Sequence, residues 1–277
     1  MPLTKVLITV KTYPTLSKKY DELVCTAGFR EDGSWVRLYP VPFRKLDYQN
    51  QYKKWQWIEL ELDKSISDFR PESYRPTNID RNIKILGEIE TKNDWELRKK
   101  IVLKHIYTNM SSLISEAKSK DFSTSLAVLK PQKILDFIWE PSEPEWDVST
   151  LAAVYANQSQ LGLFDDLEGT KKLFKVVTKL PFKFSYVFTT EDGIKRTLMV
   201  EDWELGALYW NCLKKAEGNV ELACKQVRCK YFDYMYHERD LYFFMGTTKE
   251  FHNVAPNPFI IIGTFYPPKI LQTAMPF

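Results

Sequence analysis

The chain has 277 residues, of which 44% are apolar and 27% charged, and it carries a formal net charge of +3. That apolar content is enough for a real core in one large or two moderate domains, and it excludes a chain disordered throughout. No apolar run approaches the roughly 18 residues that cross a bilayer, so a membrane partner is not expected.

Strands are predicted at 4–13, 21–30, 34–43 and 55–63, where β-branched and aromatic residues alternate with polar ones between turn signals. Asp32-Gly33 turns the second strand into the third, and the prolines of YPVPFR at 39–44 forbid a continued central ladder. A fifth strand is predicted at 83–90. Asn93 or Asp94 can cap a helix reaching about Lys120, because Trp95, Leu97, Ile101, Leu103, Ile106, Leu113 and Ile114 recur at nearly helical spacing. Its basic face of Arg98, Lys99, Lys100 and Lys104 reads first as a solvated surface. SLAVLKPQKILDFIWE then closes an N-terminal lobe over 1–140 with one or two strands.

Residues 141–168 contain six acids and no base, which leaves +9 on the rest of the chain. With Pro141 and Pro144 at its start, this stretch reads as an exposed acidic linker. Within it, Gln160, Leu161, Gly162, Leu163 and Phe164 spell QLGLF, which resembles the peptide by which many bacterial replication and repair proteins dock on the sliding clamp. The same apolar spacing also fits a short segment buried against the body of the protein, and spacing alone does not separate the two.

The C-terminal lobe, 169–277, begins with KLFKVVTKLPFKFSYVFTT, read as strand, and Asp192-Gly193 turns it back into IKRTLMV. Asp202 caps WELGALYWNCLKK as a helix, a second helical stretch follows over about 220–236, and LYFFMGT and PFIIIGTFYP form the last strands. The fold class expected is mainly β, a β-rich α+β chain with two small OB-like barrels in tandem and inserted helices. Five strands per lobe match the oligonucleotide-binding barrel, and other small barrels share that count.

VCTAGFREDGSWVRLYPVPFRKL in the first lobe, with LPFKFSYVF, VEDWELGALYW, LYFFMGTT and PFIIIGTFYPP in the second, resembles a bacterial family of dual-OB-domain-containing proteins. The resemblance spans nearly the whole chain. It implies two tandem barrels in poorly characterised bacterial proteins, some of them thought to belong to mobile or antiphage defence loci. It implies no catalytic residues.

Such barrels grip nucleic acid by pairing cations that follow phosphates with aromatic faces on which bases stack. Arg30, Trp35, Arg37, Tyr39 and Arg44 come from one hairpin, and Lys53 and Lys54 precede the next strand beside Trp55 and Trp57. Period two places Trp35, Arg37 and Tyr39 on one face, opposite Val36 and Leu38. Those residues form the leading nucleic-acid site, joined by Arg70 and Arg75 of SDFRPESYRP. A structural reading competes: Trp35 and Tyr39 capping the barrel, with Arg37 bonded to a carboxylate.

The four cysteines, Cys25, Cys212, Cys224 and Cys229, form no CxxC pair and have no histidine at zinc-ligand spacing, so reduced thiols and no structural metal are expected. No Walker loop, Rossmann glycine fingerprint, GxSxG elbow or HExxH helix is present, and no cofactor is expected. Glu59, Glu61 and Asp63 share a strand face, and Asp202 and Glu204 stand together, so a metal-dependent nuclease is the main alternative; a protein-interaction scaffold is a third. The reading preferred is a cytoplasmic, non-catalytic protein that binds single- or double-stranded nucleic acid and joins the sliding clamp through Gln160–Phe164.

Overall fold

The computed structural model describes residues 3–18, 21–77, 83–162, with backbone alone over 158–162, and 175–269. Strand β1 (Leu3–Lys11) is long enough to serve two neighbours. Leu3–Leu7 pairs antiparallel with β6 (Gln56–Lys64), and Leu7–Lys11 pairs antiparallel with β4 (Thr26–Phe29). The register slips between Ile8 and Val10, a bulge that bends the strand between its two partners. The bend brings backbones close: a Cβ at Gly28 would lie 2.0 Å from the Leu7 carbonyl oxygen, so only glycine fits there.

From β4 the chain turns at Gly33 into β5 (Trp35–Leu38), which pairs in parallel with β7 (Ser73–Pro76), itself antiparallel to β6. The five strands close in the order β1-β4-β5-β7-β6, a Greek-key barrel of the OB type. Val6, Ile8, Val36, Leu38, Ile58, Leu60 and Leu62 alternate inward to fill it. A short ribbon of β2 (Thr15–Ser17) and β3 (Asp21–Leu23), and an outer strand β8 (Lys84–Glu88) on β6, complete this lobe.

The second barrel repeats the plan with its first strand broken in two. β9 (Leu126–Leu129) pairs with β13 (Tyr242–Thr247), and after Pro131 β10 (Lys133–Pro141) pairs with β11 (Phe182–Thr189). β11 pairs with β12 (Arg196–Met199), and β13 with β14 (Phe259–Phe265). A parallel bridge, Val200 to Ile261, joins the two sheets. Between β12 and β13 lie α4 (Trp203–Lys215), capped by Asp202, then α5 (Val220–Arg228) and a π-helical segment Cys229–Glu238. Phe137, Phe184, Tyr186, Tyr209, Tyr231 and Phe243 fill this core.

Three sequence expectations change. The helix predicted from 93 to about 120 is two: α1 (Lys92–Val102) and α2 (Met110–Lys118). Tyr107 breaks it by bonding to the edge of β9, its N–H donating to Val128 O at 2.8 Å and its carbonyl accepting from Lys130 N at 2.8 Å. The lobe boundary at 140 does not follow the pairing, because β9 and β10 belong to the C-terminal barrel. Residues 141–168 are also not all extended linker: α3 (Val148–Gly162) buries Val154, and Asn157 Nδ2 donates at 3.0 Å to Lys18 O and to Asp21 Oδ1 in the first lobe.

A third apolar core lies between the barrels. Val10, Ala27 and Phe29 of the first lobe meet Leu126, Val128, Phe244, Ile262 and Phe265 of the second, with Val102 of α1 among them. The two barrels therefore share this third core, beside the separate interior of each. Among the described residues no helix is long and apolar enough to cross a membrane.

Candidate functional site

The shared interior explains the fate of the predicted nucleic-acid face. Trp35 and Arg37 do point away from the aliphatic core of their barrel, but that face is covered by the second lobe. The Trp35 ring lies 3.9 Å from Phe29 and 5.7 Å from Phe244, centroid to centroid. Arg37 is 2% exposed and donates to Ser125 Oγ at 2.7 Å, Ser125 O at 3.0 Å and Ser73 Oγ at 3.3 Å. Arg37 is corrected from a nucleic-acid contact to a lobe-joining residue, and Trp35, half-buried, packs on the second lobe. Arg70, also buried, pairs with Asp68 at 2.6 Å and donates to Thr247 O of the other lobe, so it too is withdrawn from the surface.

The remaining predicted residues are dispersed. Arg30 lies over the Tyr74 ring at 4.8 Å, Tyr39 is 42% exposed and Arg75 is exposed. Arg44 pairs with Glu22 at 2.6 Å. Of the clamp-like peptide, Gln160 and Leu161 lie on the last turn of α3 with side chains outside the description, and Leu163 and Phe164 lie outside the described residues.

Lys53 and Lys54 are brought into a cleft of about 500 Å³ between the lobes, a volume typical of small-ligand sites. The first lobe supplies Lys11 from the end of β1, Lys53 to Trp55 from the entry to β6, and Trp95 and Arg98 from α1. The second lobe supplies Trp203 and Glu204 from the first turn of α4, and Tyr266 just past β14.

One ion pair fixes the floor. Lys54 Nζ lies 2.7 Å from Asp202 Oδ1 and 3.3 Å from Glu204 Oε2. Asp202 is the N-cap of α4, its Oδ1 also accepting from Glu204 N at 3.1 Å, so one carboxylate closes the helix and joins the barrels. Burial works against the Lys54 ammonium, but Asp202 and Glu204 outweigh it and hold Lys54 above its ordinary range. Burial lifts the Asp202 carboxyl in spite of Lys54, and its Oδ2 has no hydrogen-bond partner among the described residues.

Lys11 is different. It is 8% exposed, donates to Tyr52 O at 3.2 Å, and sits over the rings of Phe43 at 4.3 Å and Trp203 at 5.1 Å. Among the described residues it forms no ion pair. Burial, and then the like charge of Lys54, lowers its pKa to about 8. Its ammonium is answered by one carbonyl and two ring faces, with Glu204 and Asp202 favouring the charged form against burial and Lys54.

The aromatic wall is held in a strained form. Trp55 has φ 70°, and Asn93, Asp94 and Trp95 open α1 with φ of 50°, 52° and 65°, left-handed values that bulky residues rarely adopt. The Arg98 guanidinium lies 4.4 Å from the Trp55 ring and 5.2 Å from the Trp95 ring, and donates to Ile89 O at 2.9 and 2.6 Å. That sandwich fixes both indoles against the cleft, and strain of this kind gathers at ligand clamps.

Sequence reasoning reached Lys53 and Lys54, set Arg98 on a solvated helix face and Trp95 on its apolar one, and missed Lys11, Trp203 and Tyr266. The signal for Trp203 was its place one residue after a recognised helix cap; for the others no local signal existed. Among the described residues, no three His, Cys, Asp or Glu side chains are gathered as metal ligands would be.

Residues 106–277 match a family model described as Domain of unknown function (DUF8757), and residues 2–104 match one described as Domain of unknown function (DUF8758). No curated protein matches the chain.

Proposed function

We propose that this chain, which belongs to the DUF8757 family, is a non-catalytic nucleic-acid-binding protein whose inter-lobe cleft takes a phosphorylated nucleoside. The observation that carries this reading is Lys11, a buried ammonium with no carboxylate paired to it among the described residues, set beside Trp203 and facing the Trp55–Arg98–Trp95 wall. A phosphate ester answers the cation, and a planar base answers the indoles. Neither a bare inorganic anion nor an uncharged ring uses both.

The test is titration of the protein with a nucleoside monophosphate, the matching nucleoside and ribose 5-phosphate, followed by quenching of tryptophan fluorescence and by calorimetry. The nucleotide is expected to bind at least tenfold more tightly than either half, and more weakly as salt rises. Equal binding of all three, or none, rejects the reading. Affinity is also expected to fall as pH rises through about 8, because Lys11 is protonated below that value and loses its charge above it.

On its sequence alone, Gln160–Phe164 is proposed as the peptide that docks the protein on the bacterial sliding clamp, reinforcing a weak nucleic-acid contact through effective concentration. Replacing Gln160, Leu163 and Phe164 with Ala is expected to abolish clamp pull-down while leaving the melting temperature nearly unchanged. A large drop in melting temperature means instead that the peptide is buried.

A further inference from the structure

We propose that the cleft is the first of two adjoining base sites, and that its ligand is a single strand rather than a free nucleotide. This rests on the nucleotide reading of the cleft. A second cavity, of about 360 Å³, also touches Trp203 and is lined by Tyr13, Trp210, Arg44 and Lys175. Trp203 lines both cavities, so the two adjoin at this residue.

The second cavity repeats the chemistry of the first, rings interleaved with cations, which is the pattern that holds a strand by stacking and phosphate contact. Helix periodicity builds it: Trp203, Ala207 and Trp210 fall at i, i+4 and i+7 on one face of α4 and all line the cavity. The rings are fixed in place. Trp210 Nε1 donates to Tyr13 Oη at 2.8 Å, and Tyr13 Oη donates to Thr178 O at 2.7 Å. Gly206 allows this, since a Cβ there would lie 2.2 Å from the Tyr13 ring. Arg44 is oriented by Glu22 at 2.6 Å and by Lys175 O at 3.1 Å, and Lys175 itself is exposed.

A strand running from Lys11 past Trp203 toward Lys175 thus meets a cation, a ring, a second ring and a second cation in turn. Duplex bases, paired and stacked on one another, have no face to offer two such cavities.

The experiment compares 5′-phosphorylated mono-, di- and tetranucleotides, single- and double-stranded, by calorimetry or anisotropy, on the full chain and on Lys175→Glu and Trp210→Ala. The dinucleotide is expected to bind at least fivefold more tightly than the mononucleotide, the increment of one further stacked base. Both variants are expected to lose that increment and to keep the mononucleotide affinity. If the mononucleotide does not bind, the nucleotide reading of the cleft fails. If it binds and the dinucleotide gains nothing, or a blunt duplex binds as well as a single strand, the second base site is overturned. Should Trp210→Ala unfold, the exposed Lys175→Glu decides alone, and an undiminished dinucleotide increment in that variant overturns the path.

Discussion

Replacing Asp202 by Ala is expected to lower the stability of the folded protein by about 3–5 kcal/mol, the usual consequence of leaving one member of a buried ion pair without its partner. Lys54 would remain 7% exposed with only Glu204, a largely exposed carboxylate 3.3 Å away, to answer it. The same substitution removes the cap of α4, a further loss of about 1 kcal/mol. The denaturant midpoint measures the sum. Converting both Lys54 and Asp202 to apolar residues of similar size is expected to recover much of the loss, because the desolvation of both charges then disappears. A single-variant loss under about 1 kcal/mol would mean that the pair does not hold the barrels together.

Lys11→Met is expected to move stability and binding in opposite directions. The folded protein holds Lys11 at about 8, below its ordinary value of 10.5, so the charged form is disfavoured by folding. That penalty is full below about pH 8 and vanishes once pH rises past 10.5, where the amine is neutral in both states. At pH 7 the variant is therefore expected to be more stable by about 1–3 kcal/mol, an advantage that shrinks toward pH 10. Nucleotide affinity is expected to fall about 10- to 100-fold, the value of a charge-assisted contact to phosphate. Denaturation at the two pH values and one titration check all three statements. Unchanged affinity would remove Lys11 from the site.

The strands were legible in the sequence because alternation is a local property. Leu3–Lys11, Gln56–Lys64, Tyr242–Thr247 and Phe259–Phe265 fall close to their predicted places, and so does Asp202 as a helix cap. The site was legible only in part. Period two correctly set Trp35 and Arg37 opposite the aliphatic core of their barrel, but alternation tells one side of a sheet from the other and not water from a second barrel. The same limit hid the cleft. Lys54 and Asp202 are 148 residues apart, and their pairing depends on how two closed barrels meet. Helix α3 was missed because the prolines and acids at its entry suit an exposed connector, whereas burial of Val154 against the first lobe is a tertiary effect.

The seam between the two matched families falls at residues 104–106, within a few residues of Val102, whose side chain is fully buried in the interior common to both barrels. A gene fragment ending at that seam would encode a barrel with Val10, Ala27 and Phe29 stripped of their cover, and the complementary fragment would bare Phe244, Ile262 and Phe265. Each half is the other's missing wall. Separated at that seam, each half would present these apolar side chains to water as an exposed patch prone to association.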